Sequence, residues 1–431
     1  MAQTLKFGNK TWATKVGSTL AYNDENDNFK PLPFAFTRST SATRVNKEGL
    51  IEVVTNDRPR IDYTDTSDGV LLLEKAATNL VTYSNDFSNS SYVRNGTTAT
   101  TGFISPDGTL NAYKLLEDNS NAIHRIYQTA TVTGSPNTTI SIYVKYLGRK
   151  NVLMRIADST VGRWYDVENG VLGGIYQGTP NDSSIESVGN GWYRISISHT
   201  VSNQSRLELW ISDTESTSAY QGDTSKGVYI YGAQLEVGSF PTSYIPTQNS
   251  AVTRVAETAN GAGNSEVFND SEGVLFADIA YLNPTTSPNS RIAISDGTAL
   301  NRILIQNVSS TSNRLQFYVI SNGVTSTDFF TDLSDITLFN KIVFKYKTND
   351  FSVWINGFEV LTDTSGSTFS DGTLNELAFD GGDGTSDFYG KTKEIGYYNT
   401  ILTDLELETL TSYRSWESMV NELNLNIIYN G

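Results

Sequence analysis

Short runs of alternating apolar and polar residues, each closed by a turn signal, recur along most of the chain and constrain its fold more than any other feature. ISIYVKY (140–146), GWYRISIS (191–198), RLELWIS (206–212), GVYIYGAQLEV (227–237), GVLFADIAY (273–281), NRLQFYVI (313–320), NKIVFKYK (340–347) and FSVWINGFEVL (351–361) are such runs. PDG (106–108), GSPN (134–137), NDSS (181–184) and GNG (189–191) punctuate them. A period of two sends successive side chains to opposite faces of a strand, so each run presents one face to a core. Asn356-Gly357 and Asn322-Gly323, set between apolar runs, predict tight hairpins, because both turn positions need positive φ.

A chain of 431 residues exceeds the roughly 250–300 that one core serves. The expectation is an all-β protein with two β-sandwich (jelly-roll) domains in tandem, at 76–247 and 266–402. The small polar stretch QNSAVTRVAETANGAGNS (248–265) reads as the linker, and its SAVTRV (250–255) echoes SATRV (41–45). Residues 1–75 read as an extended N-terminal arm lying along a neighbouring domain or subunit. Over 403–423 the period lengthens: Leu407, Leu410, Tyr413 or Arg414, and Val420 share a helical face, and Thr403 with Glu406 forms a capping-box pattern. One C-terminal helix with a tail (403–431) is expected there. Asp404, Glu406 and Glu408 then sit in its first turn, where carboxylates favour the helix dipole, and do not form a catalytic row.

Charge and missing residue types narrow the function. The chain carries 31 basic and 47 acidic side chains, a net −16, and such a field repels nucleic acid and anionic membranes. There is no cysteine, which removes disulfides, thiolate metal sites and a cysteine nucleophile. No run reaches the ~20 apolar residues of a membrane span. The opening MAQTLKFGNKTWATKVG lacks the apolar core of a signal peptide, so assembly in a bacterial cytoplasm is expected. His124 and His199, the only histidines, stand in no triad or metal pattern and read as surface or strand-face residues. The GGDG at 381–384 lacks the lysine and following helix of a phosphate loop.

Alternation in the first sandwich collects aromatic and charged groups away from the core. Tyr143, Trp192, Arg194, Arg206, Glu208, Trp210, Tyr229 and Tyr231 all fall on the non-core side of their strands, and together they read as the outer face of one sheet. Rings that cover the C–H patches of a pyranose, beside groups that bond its hydroxyls, suit a glycan. The same rings would equally pack under the arm or against a sister subunit. Asp380, Asp383 and Asp387, in DGGDGTSD, are spaced to offer hard oxygens to Ca²⁺, or form a solvated acidic turn. No other cofactor is called for.

Two stretches carry resemblances. FTRSTSATRVNKEGLIEVV, RPRIDY and GVLLLEKAATNLVTYSNDFS (within 36–88) resemble a leader of phage structural proteins. SPDGTLNAYKL (105–115), GNGWYRISIS (189–198) and GVYIYGAQLEVGSFPTSYIPT (227–247) resemble the carbohydrate-binding-like jelly roll that follows such leaders. KIVFKYKTNDFSVWINGFEV (341–360) and KTKEIGYYNTILTDLELETL (391–410) are similar to concanavalin A-like, laminin-G-type domains. The resemblance implies a non-catalytic virion fibre, tail or head, that binds host-surface glycans. It also implies self-association, as a trimer before a dimer, and contact with other virion proteins through the arm. A component without ligand and a polysaccharide depolymerase are the alternatives.

Overall fold

The structure, a computed structural model, describes residues 3–19, 31–156, 161–202, 204–215, 219–283, 289–422 and 425. It is all-β, with two short helices near the C-terminus. The chain divides into two compact units. Unit one comprises Met1–Ser39, Thr55–Lys75 and Ala256–Gly431, and unit two Thr40–Val54 and Ala76–Val255.

Unit two is a sandwich of two six-stranded antiparallel sheets. The first carries His124–Thr131, Gln204–Ser212, Asn151–Ile156 and Val161–Asp166 at its centre; the second carries Ala112–Glu117, Gly227–Val237, Asn137–Leu147 and Trp192–Thr200. Alternation fills the space between them: Leu207, Leu209 and Ile211 from one sheet meet Ile140, Ile142, Ile195, Ile197, Val228 and Ile230 from the other. All nine are at most 1% exposed, so the period of two sorted these faces as expected.

Unit one sets an eight-stranded sheet against a five-stranded one. Glu272–Tyr281, Asn340–Lys347, Phe351–Ile355 and Gly390–Tyr398 send Leu275, Ala277, Phe344, Val353, Ile395 and Tyr397 inward against Ile294, Ile303, Phe317 and Val319. Asn356-Gly357 and Asn322-Gly323 make their hairpins with all four φ values between 50° and 91°.

The described residues of the N-terminal 75 do not form one separate segment but are built into both units. Leu5–Gly8 pairs with Gly390–Tyr398, Val70–Leu73 pairs with the other end of that strand, and Phe34–Thr37 pairs with Thr258–Asn260, all within unit one. The hairpin of Ala42–Val45 and Ile51–Val54 belongs to unit two. The reason lies in local sequence: Leu5, Phe7, Phe34, Phe36, Leu71 and Leu73 alternate or cluster as core residues do, and all are buried.

The C-terminal helical stretch is two helices, α1 (Asp404–Thr411) and α2 (Trp416–Glu422). The Glu406 carboxylate accepts the Thr403 backbone N–H (2.9 Å) and hydroxyl (2.8 Å), which starts α1 where the capping pattern put it. Leu407 and Leu410 of α1 pack on Val274, Phe276, Val343, Trp354 and Tyr398, the outer face of the eight-stranded sheet.

Candidate functional site

The eight proposed glycan residues lie on two different sheets. Tyr143, Trp192, Arg194, Tyr229 and Tyr231 are on the second sheet of unit two; Arg206, Glu208 and Trp210 are on the first. The outward assignment of each side chain holds, but a single shared face does not.

On the second sheet the outer face is covered by the chain itself. Tyr143, Trp192, Tyr231 and Tyr244 pack with Ile51 into a cluster, and none of the four rings is more than 5% exposed. The Thr43 hydroxyl donates to the Tyr244 carbonyl at 2.6 Å, which ties the Ala42–Val45 strand over this layer. Arg194 donates to the Ser141 hydroxyl and the Thr242 carbonyl. The packing reading therefore holds here, because alternation assigns a face without saying whether a third layer lies on it. Tyr229 remains half-buried. Its ring stands 5.3 Å from Phe103, in a shallow apolar hollow with Ile104, Leu110 and Lys145.

On the first sheet, Arg206, Glu208 and Trp210 join a cluster that alternation in neighbouring strands completes. Glu208 is fully buried and pairs across the strands with Tyr127 and Arg155. Its Oε1 accepts from Arg125 (2.8 Å) and from the Trp210 indole N–H (2.7 Å). Arg155 and Arg206 stand 3.7 and 3.8 Å from Oε2, which accepts no hydrogen bond. Each guanidinium lies over a ring: Arg125 and Arg155 over Trp210, Arg155 also over Tyr176, and Arg206 over Tyr127 at 4.3 Å. Sequence reasoning missed Arg125, Arg155, Tyr127 and Tyr176, although each occupies the non-core parity of its own strand.

A further concavity lies in unit one, and no local pattern announces it. A groove of about 960 Å³ runs over the outer face of the eight-stranded sheet beside α1. Phe276, Phe339 and Tyr398 line it, with Lys6, Lys10, Lys341, Lys391, Lys393 and Arg414 against Asp65, Asp68, Asp278 and Glu394. Lys6 pairs with Glu394 (3.7 Å), Lys10 with Asp68 (3.2 Å) and Lys391 with Asp65 (2.5 Å). The Lys393 ammonium sits 4.1 Å from the centre of the Phe339 ring. Asp278 and Glu394 are direct cross-strand partners. Residues separated by hundreds of positions meet here only through strand pairing, which a single sequence does not disclose.

Asp380, Asp383 and Asp387 spend oxygens on their own loop and its neighbours. Asp380 accepts the Gly382 N–H, Asp383 accepts the Thr385 N–H and hydroxyl and faces Arg302 at 3.5 Å, and Asp387 bonds the Tyr389 hydroxyl. Among the described residues no group of three or more His, Cys, Asp or Glu could hold a metal ion. Burial, with the charge of Asp380 adding, pushes the Asp387 carboxyl up to about 6. Burial, with Asp383 adding, raises Asp380 above its ordinary range. His124 is buried rather than superficial, its Nδ1 2.5 Å from the Gly96 carbonyl.

No protein-family model matches the chain, and no curated protein is found to be related to it. Among solved structures it is similar to the CBM40 of the Ruminococcus gnavus IT-sialidase bound to α2,3 sialyllactose, at 14% identity and a TM-score of 0.30, over 35% of this chain and 86% of that one. Domain 4 of AbnA, a GH43 extracellular arabinanase from Geobacillus stearothermophilus in complex with arabinotriose, matches at 14% identity and 0.30, over 41% and 84%. Domains LG4-5 of the mouse laminin α1 chain match at 9% and 0.24, over 68% and 92%. Likeness at these TM-scores assigns neither an activity nor a ligand to this chain.

Proposed function

We propose that the protein is a non-catalytic fibre or appendage protein of a phage particle that binds host-surface glycans in the groove of unit one. The observation that carries the glycan reading is that groove. It is concave, with room of about 960 Å³, and it mixes rings with many donors and acceptors. Phe339 offers an apolar face to a pyranose, and the lysine and carboxylate pairs offer both signs of hydrogen-bonding partner to its hydroxyls. The phage setting rests on the leader resemblance at 36–88. Several weak sites on a self-associated fibre would gain avidity from their number.

A glycan array with purified full-length protein tests the reading, with Phe339→Ala and Lys393→Ala alongside. Saturable binding that each variant weakens at least tenfold, with melting temperature and light-scattering mass unchanged, is the expected result. Wild-type protein that binds no glycan would leave a component without ligand.

One observation favours a second reading, polysaccharide cleavage. Asp278 and Glu394 are directly opposed on paired strands, where Cβ atoms lie roughly 4.5–5.5 Å apart, and both line the groove. Retaining glycosidases place theirs about 5–5.5 Å apart. Reducing-end release from bound polysaccharide, abolished by Asp278→Asn and by Glu394→Gln, would establish cleavage; binding without release is expected.

A further inference from the structure

We infer that the arginine–aromatic face of unit two is a second ligand site, and that it takes a polysaccharide bearing anionic groups on its sugar rings. The argument is one of charge and geometry. Arg125, Arg155 and Arg206 surround a single carboxylate, Glu208, so the cluster holds two positive charges in excess. It does so on a chain whose net charge is −16. A structural ion pair needs one guanidinium, and Arg125 already supplies the hydrogen bond to Oε1. Arg155 and Arg206 stand too far from Oε2 for hydrogen bonds, and their Nε atoms are buried without a partner.

Stacking explains how the two can hold still without that partner. A guanidinium lying flat on a ring spends its π-face and keeps its N–H edges in plane, where they match a carboxylate or sulfate with two parallel hydrogen bonds. The Arg155 guanidinium carbon stands 5.2 Å from the Trp210 ring centre and 5.4 Å from that of Tyr176, and the Arg206 carbon 4.3 Å from that of Tyr127, all within cation–π reach. The Arg155 and Arg206 side chains are 18% and 34% exposed while their Nε atoms are buried, so contact with a ligand falls to the Nη ends. The half-buried rings of Tyr127 and Tyr176 beside them offer apolar area to the sugar that carries the charge. A free small anion would use the forks alone; a sugar acid uses forks and rings together.

The test is affinity electrophoresis of the full-length protein in gels containing polygalacturonate, dextran sulfate or neutral dextran, at low and raised salt. Retardation by an anionic polymer at least tenfold stronger than by dextran, and weakened by salt, is expected. The stronger of the two anionic arms identifies carboxylate or sulfate as the group read. Arg155→Gln and Arg206→Gln should each lose at least tenfold, and Arg206→Lys, which keeps charge without the fork, should recover only part. Melting curves keep a folding defect apart from lost binding, and Arg206, the more exposed, is the variant least exposed to that problem. Equal retardation by dextran, or full retardation of both Gln variants, overturns the proposal. So does a concentration-dependent dimer of wild-type protein that Arg206→Gln abolishes without polymer, since the face would then meet a second copy. Phe339→Ala leaves this binding unchanged, so failure of the groove reading and failure of this one are separately visible.

Discussion

At Glu257 one buried carboxylate receives two arginines. Its Oε1 accepts from Arg38 (2.6 Å) and from Arg60 Nε (2.8 Å), its Oε2 from Arg60 Nη2 and from the Glu74 backbone N–H, and Arg60 also reaches Glu74 at 2.8 Å. All four side chains are at most 4% exposed. Burial alone would lower the proton affinity of Arg60, but Glu257 and Glu74 hold it above its ordinary value. Removing one member strands the others, so Glu257→Ala should cost unit one about 3–5 kcal/mol in denaturant unfolding. The resemblance segments FTRS, RPRIDY and LLLE thus contribute Arg38, Arg60 and Glu74 to a structural lock. A second residue-scale expectation concerns pH. Asp387 binds its proton more tightly in the fold, near 6, than the ordinary 3.8. Between those values the native state holds more protons than the unfolded one, so its contribution is full at low pH and is lost as pH rises through about 6. Asp387→Asn should therefore raise the melting temperature at pH 7.5, by on the order of 2–4 °C, and change little at pH 4.

The Asn356–Gly357 turn and α1 meet at the scale of elements. The Gly357 N–H donates to the Thr411 hydroxyl at 3.1 Å, and a Cβ on Gly357 would lie 2.8 Å from the Ser412 Oγ. With φ at 91°, Gly357→Ala is strained as well as crowded, and should cost more than about 1 kcal/mol. Leu407→Ala, which empties the centre of the α1 contact, should cost about 2–5 kcal/mol in the same unfolding measurement. Both changes act beside the groove and should weaken glycan binding there along with stability. What the sequence made legible follows from how local each signal is. The hairpin turns, the α1 cap and the buried parity of Leu207, Leu209 and Ile211 depend on neighbours within a few residues. The cover over Trp192 depends on a hairpin about 150 positions upstream, and the groove on pairings between residues near 6, 278 and 394. In SPDGTLNA the signal was local but its meaning was not chemical: Asp107 accepts from Ser105, Thr109, Asn111 and Tyr231, and so pins a turn.

For the whole molecule, self-association is the expectation that the groove and the arginine face bear on together, since either surface in a contact would lose its ligand. Light scattering on wild type and on Arg206→Gln should give one mass, a trimer by preference, if that face is free in the assembly. The pairing of Leu5–Gly8 with Gly390–Tyr398 has a consequence of another kind. During synthesis the first strand leaves the ribosome long before its partner exists, while unit two has both its segments available by residue 255. Unit two can therefore form early, and unit one must wait with Leu5 and Phe7 unshielded. A chain stopped short of residue 390 would keep an open edge in that sheet and would be marked for chaperones or proteases. The strand pairing thus makes Gly390–Tyr398 a late keystone, on which segments made hundreds of residues earlier depend for their partner.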